Sequence, residues 1–487
     1  MPAEKVDVTA AFAAGVSAAT GGAVIPAKRK IAAASGAGAR LTSPVSYGSE
    51  GLLIRANHVN HAVGFDIPFV TETLGNGLRI LVAPQPGVPI VTVDVTYDVG
   101  SRVEPPGQTG FAHLFEHLMF EGSENVGKGE HFRLVAEAGG QMNGTTSEDR
   151  TNYYETLPRE ALDLGLFLEA DRMRALVLTQ EKLDNQREAV KEEKRLRVDN
   201  QPYASSFEAT DLLAYDAFPY RHSVIGSMDD LGAATLEDAR RFYSQYYAPG
   251  NALLAIAGDV EPEHVFARAR AYFDDIPPRT PPAPFTVEDE IPSGPRRTHV
   301  KDPHAALPAI HVNFKVPERR HPISLALSYV PRILTGGESG SLWRRLVKDE
   351  EIALSLSLSL DERRGPSLFR GFALARPDVP LERLEREIRD ALSEFAEKGP
   401  SEREMERARR NLAAEAVRLT QTTQAIAFLL SEYGVYDGDA SLWKNDFEAL
   451  LDMDRESVRE AAAFAFTEER LSVVTVEPSS PHGPESA

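Results

Sequence analysis

The 487-residue chain contains no cysteine. Disulfides, thiolate metal sites and a cysteine nucleophile are therefore excluded together, and any metal site must be built from His, Asp or Glu. The same absence leaves the compartment undecided. No stretch approaches the ~18 consecutive apolar residues that a membrane-spanning helix requires. Basic residues are in short supply: 53 Lys and Arg face 73 Asp and Glu, for a formal net charge of −20. Nucleic acid is thereby disfavoured as the main partner, because phosphate binding wants a basic face. Such a surplus of acid suits cationic substrates, and it is also a common solubility device. The remaining composition, 42% hydrophobic and 26% charged, is that of an ordinary soluble globular protein. The length exceeds one compact domain, and two or three are expected.

Residues 1–65 are rich in Ala and Gly and read as a poorly ordered extension. Their start, Met1-Pro2-Ala3-Glu4-Lys5, is not the basic segment followed by a dense apolar core of an export signal. A cytoplasmic location is favoured on that ground, with a displaced export signal and a periplasmic location as the alternative. From residue 66 the pattern becomes that of a folded domain. Strand-like segments flank the hairpin signal Asn76-Gly77, another covers 90–99, helix follows over 110–120 and 128–138, strands over 139–157, and helices over 161–176 and 180–197. Residues 276–296 hold seven prolines and little periodic apolar content, which reads as a linker. Beyond it, 297–477 repeats the order of strands, helix, strands and helices, which suggests a duplicated domain. Residues 478–487 read as a loose tail.

The segment His113-Leu114-Phe115-Glu116-His117 carries the chemistry. At i and i+4, the two histidines share a helix face and can clamp one ion. At about 100° per residue, Glu116 falls about 80° from the midpoint of the pair, the mirror of its place in the HExxH order, within reach of a water on the same ion. By itself the five-residue pattern also describes a helix with two polar-face histidines and a solvated glutamate. Phe111, Leu114, Phe115, Leu118 and Phe120 imply burial, and buried histidines beside a carboxylate call for a reason. A third ligand must come from elsewhere. The acidic helix around 186–194 offers Glu188, Glu192 and Glu193, which periodicity alone reads as a solvated face.

These motifs resemble the pitrilysin-type M16 metallopeptidases, in particular the short-chain members that include mitochondrial processing peptidase. HLFEH is similar to the family's HxxEH. Arg187-Glu188-Ala189-Val190-Lys191-Glu192-Glu193 resembles the R-[DE]-x-V-x-x-E segment that holds the third ligand, which the resemblance places at Glu193, 76 residues beyond His117. Gly139-Gly140-Gln141-Met142-Asn143, Thr151-Asn152-Tyr153-Tyr154, Tyr246-Tyr247-Ala248-Pro249-Gly250-Asn251 and Gly258-Asp259-Val260 follow in the family's order. The resemblance implies an α+β fold of two related domains, each a mixed β-sheet packed against helices. The zinc-bearing catalytic domain would span 66–275, and a second related domain without a metal site 297–477.

The resemblance further implies one zinc per chain on His113, His117 and Glu193, with Glu116 as the base. Asn143 is expected to bind substrate backbone, with a turn-capping role as its alternative. Gln186 stands where the family often has a glutamate behind the metal ligands. The implied activity is zinc-dependent endopeptidase action on peptides or unfolded segments. A non-hydrolytic structural subunit of the same fold is the alternative. Opposite the zinc site, the family's second domain supplies an Arg and a Tyr. Here those positions fall on Val347 and Leu354, with Arg344 and Arg345 close by in sequence, so the expected partner is a second M16-like subunit that supplies both side chains. His222, with no evident link to the motif, is read as structural.

Overall fold

The computed structural model describes residues 66–479. The 1–65 extension and residues 480–487 of the tail lie outside the described residues. Alternating and fully apolar runs form two sheets. The first contains β1 (Val70–Thr73), β2 (Arg79–Pro84), β3 (Ile90–Tyr97), β4 (Gln141–Thr146), β5 (Thr151–Pro158) and β6 (Ala252–Gly258) in the order β1-β2-β6-β3-β5-β4. The second contains β7 (Arg296–Asp302), β8 (Ala309–Val316), β9 (Ala353–Asp361), β10 (Ser367–Ala375) and β11 (Leu471–Pro478) in the order β7-β11-β8-β10-β9. One parallel pair occurs in each, β2 with β6 and β7 with β11; the other neighbours are antiparallel. The sheets are therefore related, and β4 and β9 are equivalent free edges. The fold is α+β, with two related mixed sheets packed against helices.

Four helices of the first half shape the site: α1 (Phe111–Leu118), α2 (Glu130–Glu137), α3 (Leu162–Ala175) and α4 (Gln180–Lys194). Helix α1 buries Phe111, Ala112, Leu114, Phe115 and Leu118 in the core of the first sheet. Each buried aliphatic or aromatic side chain is worth roughly 1.5–3 kcal/mol. His113, Glu116 and His117 are left on the opposite face. Helix α4 begins at Thr179, whose hydroxyl caps Lys182 N at 3.3 Å. It ends in a widened turn over Arg195–Asp199.

The halves are interlocked. Helix Thr423–Tyr436, from the second half, lies on β3 and β6 of the first sheet and joins Ile426, Ala427 and Leu430 to Leu81, Leu253 and Ala255. Helix Ala204–Ala214, from the first half, lies on β7, β8 and β11 of the second sheet, where Ser206 Oγ meets His311 Nε2 at 2.7 Å. The β9–β10 turn also grips the β4–β5 turn: Arg363 reaches Glu148 at 3.2 Å, and Arg364 N donates to Asp149 Oδ2 at 2.9 Å. Residues 277–295 form no helix or strand. They are nevertheless anchored, with Val287 buried beside Tyr215 and Tyr220 and Asp289 paired with the buried Lys315 at 2.7 Å.

Candidate active site

Gly110 opens α1 in the left-handed region, at φ 84°, and its backbone crosses Gly226 so closely that a Cβ on either would strike the other chain segment. No side chain at the N-cap position satisfies the first amides. Glu104 does so from before the Pro105-Pro106-Gly107 turn, accepting from Gly110 N at 2.9 Å and Ala112 N at 2.6 Å. A carboxylate suits this end of a helix dipole. Glu104 in turn faces His222 Nε2 at 3.0 Å. Both nitrogens of His222 face acceptors, Phe218 O on one side and Ser101 O and Glu104 on the other. Burial pulls the imidazole pKa down, but Glu104 and the two carbonyls outweigh it and raise the pKa above its ordinary value. His222 thus supports the motif helix through Glu104.

The structure brings His113, His117 and Glu193 together, with one ligand atom from each within 4.8 Å of the others. Glu193 Oε2 lies 3.7 Å from His113 Nε2 and 3.2 Å from His117 Nε2. Its other oxygen meets Arg197 at 2.8 Å. Glu192, the neighbour that periodicity could not separate from Glu193, instead pairs with Arg195 at 3.0 Å. Burial, then the neighbouring His117, lowers the His113 pKa to about 4, so its ring is neutral and can donate a lone pair at neutral pH. Two imidazoles and one carboxylate, 13 to 27% exposed, form a donor set suited to zinc, which three protein ligands would leave with a further position for water.

Glu116 sits beside this cluster. Thr146 Oγ1, on β4, donates to Glu116 Oε2 at 2.6 Å. Burial raises the Glu116 pKa, and the Thr146 bond opposes that rise. Gly144, two residues earlier on the same strand, lets Glu116 approach: a Cβ there would meet Glu116 Cγ at 3.0 Å and the Phe120 ring at 3.2 Å. Asn143 is exposed on the free-edge strand β4, where its Oδ1 accepts from Gly144 N at 3.0 Å. That places it mid-strand, away from the turn at Gly139-Gly140. Gln186 Oε1 faces His117 Nδ1 at 3.2 Å.

Glu104, Thr146 and Gly144 were missed from sequence. The alternation of β4 puts 144 and 146 on one face, which was a usable signal; nothing local marked Glu104. A second group of possible ligands, His131, Glu155 and Glu169, is fully buried, but Arg172 Nε already donates to Glu169 at 2.9 Å and Nη2 to Glu155 at 3.4 Å. The guanidinium fills the place of a cation there.

Residues 79–226 match the family model described as Insulinase (Peptidase family M16), and residues 233–412 match the one described as Peptidase M16 inactive domain. Over 410 residues the chain is 31% identical to zinc protease PqqE of Helicobacter pylori, covering 83% of this chain and 90% of that protein. The chain belongs to peptidase family M16. Among its M16 relatives is a probable mitochondrial-processing peptidase subunit beta of Arabidopsis thaliana, 25% identical over 67% of this chain and 62% of the relative. The crystal structure of a protease from Helicobacter pylori has the same M16 fold, with a TM-score of 0.82 and 28% identity over 85% of this chain and 100% of that one. A Pseudomonas fluorescens structure described as a peptidase M16 inactive domain matches at 18% identity, with a TM-score of 0.77, over 86% of this chain and all of that one. Among the described residues, no helix is long and apolar enough to cross a membrane.

Proposed function

We propose that this M16 chain is a zinc-dependent endopeptidase that cleaves peptides or unfolded segments, acting as the catalytic subunit of a heterodimer. The carrying observation is the convergence of His113, His117 and Glu193 beside Glu116. One zinc per chain would be held by those three residues, and it supplies Lewis acidity toward the attacking water and the scissile carbonyl. Glu116 takes the water proton on the oxygen that Thr146 leaves free and returns it to the leaving amine. The free edge of β4 offers main-chain hydrogen bonds to an extended substrate, a mode of binding that would tolerate many side-chain sequences. Asn143 is suited to meet that strand near the scissile bond, exchanging its bond to Gly144 N for one to substrate backbone.

The need for a partner rests on the second half. Val347 lies in the turn Arg344–Asp349 packed against the second core, and Leu354 is exposed on β9. Neither side chain can donate a hydrogen bond. Arg345 pairs with Glu350, at 3.7 Å, and Glu387, at 3.4 Å, while Arg344 is 68% exposed with Asp349 3.7 Å away and is not held in place. Fixed donors toward the developing oxyanion therefore fall to a sister subunit.

The experiment is metal analysis and peptide assay of the purified chain, alone and with a candidate sister subunit. About one zinc per chain is expected, with turnover only in the mixture, and Glu116→Gln should keep the zinc while losing about two to four powers of ten in rate. Absence of stoichiometric zinc, with His113→Ala without effect, refutes the site. Stoichiometric zinc with no turnover in any assembly favours the structural subunit. Robust turnover by the chain alone refutes the heterodimer.

A further inference from the structure

Behind the proposed zinc ligands runs a polar chain that the mechanism does not use. His117 Nδ1 lies 3.2 Å from Gln186 Oε1; Gln186 Nε2 donates to Glu121 Oε1 at 2.7 Å; Glu121 Oε2 pairs with Lys128 Nζ at 2.8 Å. Glu121 is 7% exposed, whereas the Lys128 side chain is 55% exposed. An imidazole binds metal through one nitrogen only when its proton sits on the other, and the group facing that second nitrogen decides the matter. A carboxylate settles it directly, because it only accepts. An amide does not: rotated by half a turn, Gln186 would present its NH2 to His117 Nδ1, draw a lone pair there and move the proton to Nε2, the atom that faces Glu193.

We propose that Glu121 is a positioning residue that fixes the orientation of the Gln186 amide and, through it, keeps a proton on His117 Nδ1. Glu121 accepts and does not donate, so the NH2 of Gln186 must point at it. The carbonyl of Gln186 is thereby turned to His117, so Nδ1 carries a proton whether Nε2 holds an ion or, without one, faces the Glu193 carboxylate at 3.2 Å. Lys128 pairs the charge of Glu121 at the protein surface. Glutamine at 186 is thus tolerated because a carboxylate stands one hydrogen bond further back. This inference rests on the zinc-site reading, but protonation of Nδ1 can also be read in the metal-free chain, where Nε2 faces Glu193 Oε2 at 3.2 Å and can hold a proton of its own.

The test uses the full chain with Glu121→Met, which removes the acceptor, and the double variant Glu121→Met/Gln186→Glu, which puts a carboxylate directly against His117. Zinc affinity is read by competition with a chromogenic chelator, and protonation of His117 Nδ1 by nitrogen-15 NMR of the metal-free protein. Glu121→Met should weaken zinc binding about 10- to 100-fold, the usual cost of losing an outer-shell partner, and the Nδ1–H signature of His117 should fall. The double variant should recover both. Wild-type affinity and Nδ1 protonation in Glu121→Met overturn the proposal, as does a double variant no better than the single. Should Glu121→Met fail to fold, Gln186→Met severs the same chain at its middle, and an unchanged Nδ1 signal there is equally fatal. If the wild type binds no zinc, the site reading fails while the Nδ1 comparison still decides the relay.

Discussion

Glu104 gives the sharpest test of how α1 is held. Replacing it with Gln keeps the volume but changes the hydrogen-bond logic, because every partner of Glu104 is a donor: Gly110 N at 2.9 Å, Ala112 N at 2.6 Å and His222 Nε2 at 3.0 Å. The amide NH2 must face one of them. One charge-assisted bond is lost, at about 1.5–3 kcal/mol, and a donor at a buried site is left unsatisfied, at about 1–3 kcal/mol. The favourable anion at the helix N-terminus is lost as well, at about 0.3–1 kcal/mol. Because Glu104 is only 3% exposed, water cannot repair the loss, and about 3–5 kcal/mol of destabilisation is expected, in the range for breaking one side of a buried pair. Urea unfolding of the metal-free protein, followed by circular dichroism, measures it. Zinc affinity should fall in parallel, since His113 stands in the first turn of the same helix. Destabilisation below about 1 kcal/mol would refute the idea that a residue outside the helix secures its start.

Three further outcomes are expected. Thr146→Val removes the hydroxyl bonded to Glu116 while suiting a strand, and should lower kcat by up to about 100-fold, with zinc content unchanged and urea stability lowered by up to about 1.5–3 kcal/mol, the worth of the lost bond; equal kcat in the assembly that shows turnover would remove Thr146 from the mechanism. Gly144→Ala should push Glu116 by a few tenths of an ångström and reduce kcat by about 10-fold or more, which a crystal structure and peptide kinetics of the variant would check together. His222 has its folded pKa raised above its ordinary 6.5; its contribution is therefore complete below that value and lost as pH rises through the folded one. Wild-type stability should decline from about pH 6.5 upward, and that decline should be shallower in His222→Gln; identical slopes in the two proteins would show that His222 is not the group responsible.

The strand and helix pattern was readable where periodicity is a local property. The apolar face of α1 follows from Phe111, Leu114, Phe115 and Leu118, and the histidine pair from its spacing. Glu193 was different: Glu188, Glu192 and Glu193 look alike on one acidic helix, and only resemblance separated them before the fold did. Glu104 was illegible because its partners lie across a proline turn, with no spacing rule to connect them. The linker was read from its prolines, yet Val287 and Asp289 pin it, since two anchored residues leave no periodic trace. Nor could hydrophobic patterning say which sheet a helix covers. An amphipathic stripe on Ala204–Ala214 or Thr423–Tyr436 declares a buried face without an address.

That reciprocal covering has a consequence for how the protein can be divided. A fragment ending near residue 275 would lack Ile426, Ala427 and Leu430, and would present Leu81, Leu253 and Ala255 to water. Its mate would lack Ala204–Ala214 and expose one face of β7, β8 and β11. Each piece alone is therefore an aggregation hazard. A single cut within 277–295 is another matter, because the peptide there is not what joins the halves. The nicked protein should stay whole on a sizing column, and the two pieces, produced together, should reassemble as complementing fragments.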